Sequence, residues 1–357
     1  MDYLSNYINF YSGENRKAIY KTFCRLVDSL RTNSFDSFQT IFSYDCIADV
    51  SMTGHGKGIG DMIHLLQWPG PEMDIKKITI WNFVARSHGN MAQQSAYVQC
   101  IYAKEDGDNV YPFVFGGHFV NSFVRENNLW KIKHLKFDLM YESGNNSYVK
   151  DKWTLMDYGI FYGHKPMINA EIDSPWYVIP VDEEPQTDAE QIFECEFKLN
   201  FGMDGGDFEI VKQTFAKDVR FMMSEHKNVN KYNPSQTDGN YYGKAACSNF
   251  LKSKHHKEPR LQHTDSMGDL VIEGNTATAY MFRSEFNRTA NCIYTLDNIH
   301  SNVYTVLHKN KFIKKSGEWK LLEFNYEPIL SFVKTADDCL SYDDYVCGGT
   351  KWSKQKK

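Results

Sequence analysis

An internal repeat constrains the fold of this chain more than any other feature of its sequence. Three dipeptides recur in the two halves at offsets of 185 to 189 residues: Gly56-Lys57 with Gly243-Lys244 (187), Gly89-Asn90 with Gly274-Asn275 (185) and Trp130-Lys131 with Trp319-Lys320 (189). Three nearly equal offsets favour a duplicated domain. The 357 residues are also enough for two cores of ordinary domain size.

The first half reads as helices followed by strands. Apolar residues at helical spacing predict a helix from Glu14 to Thr32, and shorter helices are predicted at 35–42 and 62–66. Four alternating runs then predict an antiparallel meander: Lys77 to Arg86, Met91 to Tyr102, Val110 to Arg125 and Leu129 to Tyr141. This order is typical of an α+β domain.

The second half repeats that order. Thr187 and Glu190 have the T-x-x-E spacing of a capping box and predict the start of a helix, and a second helix is predicted at 207–217. Strands are predicted at 219–223, 269–286, 294–309, 311–315 and 318–326. We therefore expect a first domain at 1–143, an ordered linker at 144–186, a second domain at 187–335 and a tail at 336–357.

Composition excludes several classes of protein. The net charge is −5 with both signs scattered along the chain, which argues against a nucleic-acid partner. The eight cysteines have no metal-ligand spacing, so we expect free thiols and no metal site or cofactor. We also expect no membrane partner and a cytoplasmic location, because neither a leader peptide nor a long apolar run is present.

Several segments resemble one known superfamily. GGHFVNSFVRENNLWKIKH in the first half, and MDGGDF, GKAACSNFL, LQHTDSMG and VIEGNTATAY in the second, resemble the SnoaL-like group of the nuclear-transport-factor-2-like superfamily and its scytalone dehydratase-type members. The resemblance implies two tandem cone-shaped domains, each with a strongly curved antiparallel sheet wrapped around three helices. It also implies a deep, largely apolar pocket, and an intramolecular pseudo-dimer with further homo-oligomers open.

The resemblance implies an acid–base site in the second domain. Dehydratase-like members carry an aspartate at the corner of the first two helices and a histidine at the start of the strand after the third helix. Asp204 and His263 match these positions, whereas the first half has Arg31 or Thr32 and an isoleucine near Ile78. A turn-capping role for Asp204 and a structural role for His263 stay open as alternatives.

Other residues are candidates for contact with a ligand. Tyr280 and Tyr241 could donate to a carbonyl, Met223 could form a pliable wall, and His118 could face the first cavity. Scytalone dehydratase has a second histidine in its pocket. The nearest counterpart of that histidine in this sequence is Asn287, which puts the reaction of scytalone dehydratase in doubt.

The resemblance implies a cofactor-independent dehydratase or isomerase acting on a hydrophobic oxygenated small molecule, with a non-catalytic carrier or sensor as the alternative. A protein-interaction module is a third hypothesis, favoured if aromatic side chains fill both cavities.

Overall fold

The protein is described by a computed structural model. It covers residues 9–69, 73–107, 109–154, 166–223, 240–255, 262–287, 302–333, 346–347 and 350–351. The polar insertion after Met223 and the tail beyond Lys351 lie outside the described residues, as does Tyr294, the predicted start of a strand. The chain is α+β and divides into two compact units, Met1–Glu190 and Gln191–Lys357.

The described residues of the first unit form six strands and several helices. Its helices are α1 (Glu14–Thr32), α2 (Phe38–Ile41), α3 (Gly58–Leu65), α4 (Ala170–Asp173) and α5 (Pro175–Val178). Its strands are β1 (Phe42–Val50), β2 (Gly54–Lys57), β3 (Ile75–His88), β4 (Met91–Asp106), β5 (Asn109–Glu126) and β6 (Leu129–Gly144). The four predicted meander strands are confirmed, with longer ends.

The second unit repeats this arrangement. Its helices are α6 (Asp188–Gly205), which begins just before the boundary, α7 (Phe208–Thr214) and α8 (Lys244–His255). Its strands are β7 (Phe215–Met223), β8 (Asn240–Tyr242), β9 (Thr264–Glu273), β10 (Thr276–Asn287), β11 (Asn302–Lys315), β12 (Glu318–Val333), β13 (Val346–Cys347) and β14 (Thr350–Lys351).

The two sheets share one strand order. The first runs β2-β1-β6-β5-β4-β3, and the main part of the second runs β8-β7-β12-β11-β10-β9. In each sheet one pair is parallel, β1 with β6 and β7 with β12, and the other pairs are antiparallel. The sheets are therefore mixed, whereas the prediction was of antiparallel sheets. The cause is that the last strand of each meander, β6 or β12, lies parallel beside the first strand of its unit, β1 or β7.

Two predicted strand boundaries were wrong. The predicted strand at 269–286 is two strands, because Gly274 adopts a positive φ of 60° and turns β9 back into β10. The break predicted at Asn310 does not exist, since β11 is continuous from Asn302 to Lys315. Asn310 is fully buried and its side chain donates to Glu196. It is therefore an interior residue of the strand and does not mark a turn.

The core of the first unit is aromatic. Trp68 packs against Phe115, Phe119 and Phe137 with ring centroids 5.1–6.1 Å apart. Phe23 of α1 meets Phe119 edge-on, with centroids 5.5 Å apart. Rings of this size bury large apolar areas and contribute most of the packing energy. Among the described residues, no helix has the length and apolar character needed to cross a bilayer.

The capping box predicted for α6 is confirmed. The backbone N–H of Glu190 donates to the Thr187 hydroxyl at 3.2 Å, and the backbone N–H of Thr187 donates to the Glu190 carboxylate at 2.8 Å. These two bonds satisfy donors that a helix start leaves open. They fix where α6 begins, and with it the direction of the helix that carries Asp204.

Candidate active site

The α6–α7 corner positions the aspartate. A Cβ at Gly202 would lie 2.4 Å from the Ile210 side chain, so only glycine allows α7 to pack this closely. Asp207 caps α7, accepting from the backbone N–H groups of Glu209 and Ile210 at 3.0 and 3.2 Å. The capping role that was open for Asp204 thus belongs to Asp207, and Asp204 is left for other contacts.

Asp204 and His263 are in direct contact. One carboxylate oxygen of Asp204 bonds to Nδ1 of His263, and the other accepts the backbone N–H of His263 at 3.0 Å. The Asp204 side chain is 2% exposed and that of His263 is 13% exposed. A carboxylate on Nδ1 favours the tautomer in which Nε2 carries a lone pair. In that tautomer Nε2 is the ring nitrogen that can accept a proton.

A buried polar network continues from this pair. Asp265, two residues after His263, lies opposite Arg283 in the β9–β10 register, and Arg283 Nε donates to its carboxylate at 3.3 Å. Asn200 of α6 closes the network, because its side-chain nitrogen donates to Asp265 and its oxygen accepts from Arg283 at 3.3 Å. All three side chains are buried. The charges are therefore paired inside the unit.

A second ionisable group lies further along α6. Both oxygens of Glu196 accept from the Asn310 side chain at 3.2 Å, and one lies 3.6 Å from His308 Nδ1. Burial, followed by the charge of Asp265, raises the pKa of Glu196 to about 8. Burial and the nearby Arg283 hold the pKa of His308 well below its usual value. Burial thus favours the neutral form of both groups.

These residues form one stripe on α6. Glu196, Asn200 and Asp204 are spaced at i, i+4 and i+8, which places them on one helix face. The sequence analysis singled out Asp204 and missed the other two. It also missed Asp265, Arg283 and His308 on the strands. The spacing on α6 was readable from the sequence, but a polar stripe normally indicates a solvated face.

Two of the remaining candidate residues, Tyr280 and Tyr241, make other contacts. Tyr280 alternates with buried Ala279 and Met281, so it lies on the opposite face of β10, where Lys309 Nζ is 5.5 Å from its ring centroid. Tyr241 stacks on Phe250 of α8 with centroids 4.2 Å apart. The backbones of Met223 and Asn287 lie in β7 and β10, and their side chains lie outside what is described.

His118 belongs to the first unit. It lies opposite Tyr97 in the β4–β5 register and alternates with core residue Phe119, so it faces away from the aromatic core. Its Nε2 bonds to the Ser95 hydroxyl at 2.8 Å, and the ring meets Tyr97 edge-on at 4.5 Å. The backbone N–H groups of Met167 and Ile168 bond to neighbouring Asp138 at 2.7 and 3.1 Å. His118 is thus part of a face that residues 166–168 cover.

No metal centre is formed by the described side chains. Within the described ranges, no group of three or more His, Cys, Asp or Glu residues has the geometry to hold an ion. Five cysteines whose side chains are described are buried and free: Cys24, Cys46, Cys100, Cys195 and Cys247.

Comparisons with known proteins give matches to solved structures alone. No family model and no curated protein matches the chain. Similar structures include an NTF2-like protein with a cystatin-like fold from Novosphingobium aromaticivorans, with 17% identity, a TM-score of 0.31, and 39% of this chain and 80% of that one covered. A candidate scytalone dehydratase from the same organism has 14% identity and a TM-score of 0.33, covering 37% and 87%.

A hexachlorocyclohexane dehydrochlorinase, LinA-type3, from Novosphingobium barchaimii is similar at 15% identity and a TM-score of 0.32, covering 37% of this chain and 91% of that one. Each of these matches covers little more than a third of this chain.

Proposed function

We propose that the second unit is a cofactor-independent dehydratase or isomerase that acts on a hydrophobic, oxygenated small molecule. The observation that carries the proposal is the two-point contact between Asp204 and His263. Because Asp204 uses one oxygen on the ring and the other on the backbone of the same residue, it acts as a positioning residue. His263 is then the base.

The reaction follows from the lone pair on His263 Nε2. The base takes a proton from the carbon next to a carbonyl, and the electron pair of the C–H bond enters the carbonyl system as an enolate. In a dehydration the β C–O bond breaks, and the proton on Nε2 leaves with the hydroxide as water. In an isomerisation the same proton returns to another carbon of the conjugated system. Positioned proton transfer of this kind contributes on the order of 10²–10⁴-fold.

The first unit has a supporting role in this proposal. The positions corresponding to the acid–base pair hold Arg31, whose side chain is 43% exposed, and Ile78, which packs on the core. The aromatic core around Trp68 occupies the interior. We propose that the two units arose by duplication, which the shared strand order and the repeat offsets of 185–189 residues support.

The test is deuterium exchange. Apolar compounds that copurify with the protein are identified by mass spectrometry and incubated with it in D₂O. We expect the wild-type protein to exchange or eliminate at the carbon next to a carbonyl, and His263→Gln to lose the activity by at least 100-fold. The matched control is His55→Gln, because His55 Nδ1 makes a similar carboxylate contact with Asp49 at 2.7 Å but is 65% exposed. Binding of a compound without any exchange would favour a non-catalytic carrier or sensor.

A further inference from the structure

The first unit has a surface cavity that the proposed catalysis does not use. It lies between α1 and the turn from β5 to β6, and its volume is about 550 Å³. Ala18, Leu129 and Trp130 give it apolar surface, and Lys21 and Arg25 give it positive charge. Sites for small molecules usually have volumes of about 300–1,000 Å³. The cavity therefore has the size of a small-molecule site.

The walls of the cavity are fixed to each other. The Thr22 hydroxyl donates to the Trp130 carbonyl at 3.1 Å, and Trp130 Nε1 donates to the Asn15 side chain at 3.2 Å. These bonds tie α1 to the start of β6. Leu129 is 52% exposed next to the buried Trp130. A preformed concave site with exposed apolar surface favours a ligand that has an apolar part.

Cys24 adds apolar surface to the cavity and does not act as a nucleophile. The residue is 6% exposed, and burial raises the pKa of its thiol to about 12. The reactive form of cysteine is the thiolate, which such a pKa disfavours. We therefore expect binding in this cavity to be reversible.

The two cations of the cavity keep their charge uncompensated. Lys21 and Arg25 are exposed and lie four residues apart on one side of α1. The Arg25 guanidinium donates to the hydroxyls of Thr40 and Thr22, each at 3.3 Å, and these partners hold the group without neutralising it. Cations at this spacing on a helix repel each other. A bound anion would relieve that repulsion.

The carboxylates of α1 are occupied by other cations. Asp28 also lines the cavity, but its carboxylate accepts from Arg31 Nε at 3.1 Å. Glu14 is paired with Lys17 at 2.8 Å. The cavity is therefore left with an excess of positive charge, which is complementary to a carboxylate or a similar anionic group.

We infer that this cavity binds a small amphipathic organic anion, with its carboxylate between Lys21 and Arg25 and its apolar part against Ala18, Leu129 and Trp130. The two cations are about 6 Å apart along the helix axis, so one carboxylate can pair with both side chains. The inference goes beyond the catalysis proposed for the second unit and does not depend on it.

The corresponding positions of the second unit do not repeat this combination. The last residues of α1 and α6 are 173 positions apart, so Glu194 corresponds to Lys21. The repeat offset of 189 residues at the turn before β6 makes Glu318 correspond to Leu129. A carboxylate at either position disfavours a ligand with an anionic group and an apolar body. The combination of cations and apolar surface is thus particular to the first unit.

Three probes test the site by isothermal titration calorimetry at pH 7 and about 0.15 M salt. Octanoate has an apolar chain and a carboxylate, octanamide has the same chain without the charge, and acetate has the charge without the chain. We expect octanoate to bind about tenfold or more tightly than the other two, because it alone makes both kinds of contact. Equal binding of octanoate and octanamide, or no binding of octanoate, would overturn the inference.

Variants at exposed positions locate the binding. Arg25→Gln removes a charge from the cavity, and the matched control Lys17→Gln removes one from the same helix where Lys17 pairs with Glu14. We expect octanoate binding to weaken about tenfold or more in Arg25→Gln and less than about twofold in Lys17→Gln. Lys21→Glu with Leu129→Glu installs the residues of the second unit and should abolish binding. Unchanged binding in Arg25→Gln contradicts the inference.

Two further variants distinguish other occupants of the cavity and other sites for the probe. Ala18→Phe places a ring in the cavity and should abolish octanoate binding while keeping the thermal midpoint. If sedimentation shows a dimer that Ala18→Phe converts to a monomer, a second copy of the chain covers the cavity and the inference fails. His263→Gln should bind octanoate as the wild type does, whatever its effect on exchange. A loss of octanoate binding in that variant would place the probe in the second unit and overturn the inference.

Discussion

Asp204 binds His263 at two points, the ring and the backbone N–H, through its two carboxylate oxygens. A single contact would let the imidazole rotate about its side-chain bonds. Two contacts fix both the ring and the chain entering β9, so the aspartate sets the orientation of the imidazole and the start of the strand together.

Removing this carboxylate should be costly. Asp204→Ala leaves the backbone N–H and the ring of His263 without their buried acceptor, and we expect a loss of about 3–5 kcal/mol in the free energy of unfolding. The measurement is urea denaturation. Asp49→Ala is the control, because the Asp49–His55 contact is partly solvated, and should cost about 0–1 kcal/mol. Equal losses in the two variants would mean that the Asp204 contact is only a surface-type ion pair.

Removing Arg283 alone should destabilise the protein, whereas replacing Arg283, Asp265 and Asn200 together with apolar residues should cost little stability. Arg283→Val alone strands the buried carboxylate of Asp265, and we expect a loss of about 3–5 kcal/mol. The residues at the matching positions of the first unit are apolar. Val98 matches Arg283 and Ile80 matches Asp265, since Val98 and Ile80 pair in β4 and β3 as Arg283 and Asp265 pair in β10 and β9. Val27 matches Asn200. The triple variant Arg283→Val, Asp265→Ile, Asn200→Val should recover most of the lost stability in the same assay. A triple variant no more stable than the single one would contradict this.

Stability should fall between pH 6.5 and 8 because of Glu196. The pKa of this acid is about 8 in the folded protein against 4.5 ordinarily, so its stabilising contribution is complete at low pH and is lost as pH rises through 8. The pKa of His308 is held well below 6.5, so its contribution is constant above pH 6.5. The slope from Glu196 is at most about 1.4 kcal/mol per pH unit.

The pH effect is isolated by difference. Asp204, His263, Asp265 and Arg283 surround the same interior and are kept in Glu196→Gln, so subtracting its unfolding free energies from those of the wild type leaves the contribution of Glu196 together with its coupling to Asp265. We expect that difference to decline above pH 6.5 and level off above pH 8. A difference that is flat across this range would show that Glu196 is ionised in the folded state.

Gly268 should tolerate no side chain. A Cβ at this position would lie 2.1 Å from the carbonyl oxygen of Tyr280, at the irregularity in the β9–β10 register. Because backbone cannot move aside cheaply, Gly268→Ala should destabilise by about 1–3 kcal/mol and shift the strand that follows His263. Gly60→Ala, where no atom lies within 4 Å of the added Cβ, should be neutral within about 1 kcal/mol. Chemical denaturation of the two variants compares them directly.

The sequence predicted the helices and strands well and the site only in part. The repeat and the alternating runs located β3 to β6, and the T-x-x-E spacing located α6. The strand register could not be predicted from the sequence, because the pairing of Asp265 with Arg283 depends on an irregular ladder between β9 and β10. Glu196 and Asn200 were missed because polar residues at helical spacing normally indicate a helix face exposed to solvent. Only the partners buried against these two residues show that this face is in the interior.

The strand order shared by the main parts of the two sheets could allow wrong strand pairing during folding, and the different interiors of the two units disfavour it. A strand of one unit could join the other sheet without violating backbone geometry, since both sheets are built in the same sequence of pairings. In such an exchange Arg283 of β10 would take the place of Val98, which is fully buried in the core of the first unit, and the guanidinium would be buried without its aspartate. The mismatch would penalise an exchange of strands between the two units, so the different interiors favour each strand in its own sheet.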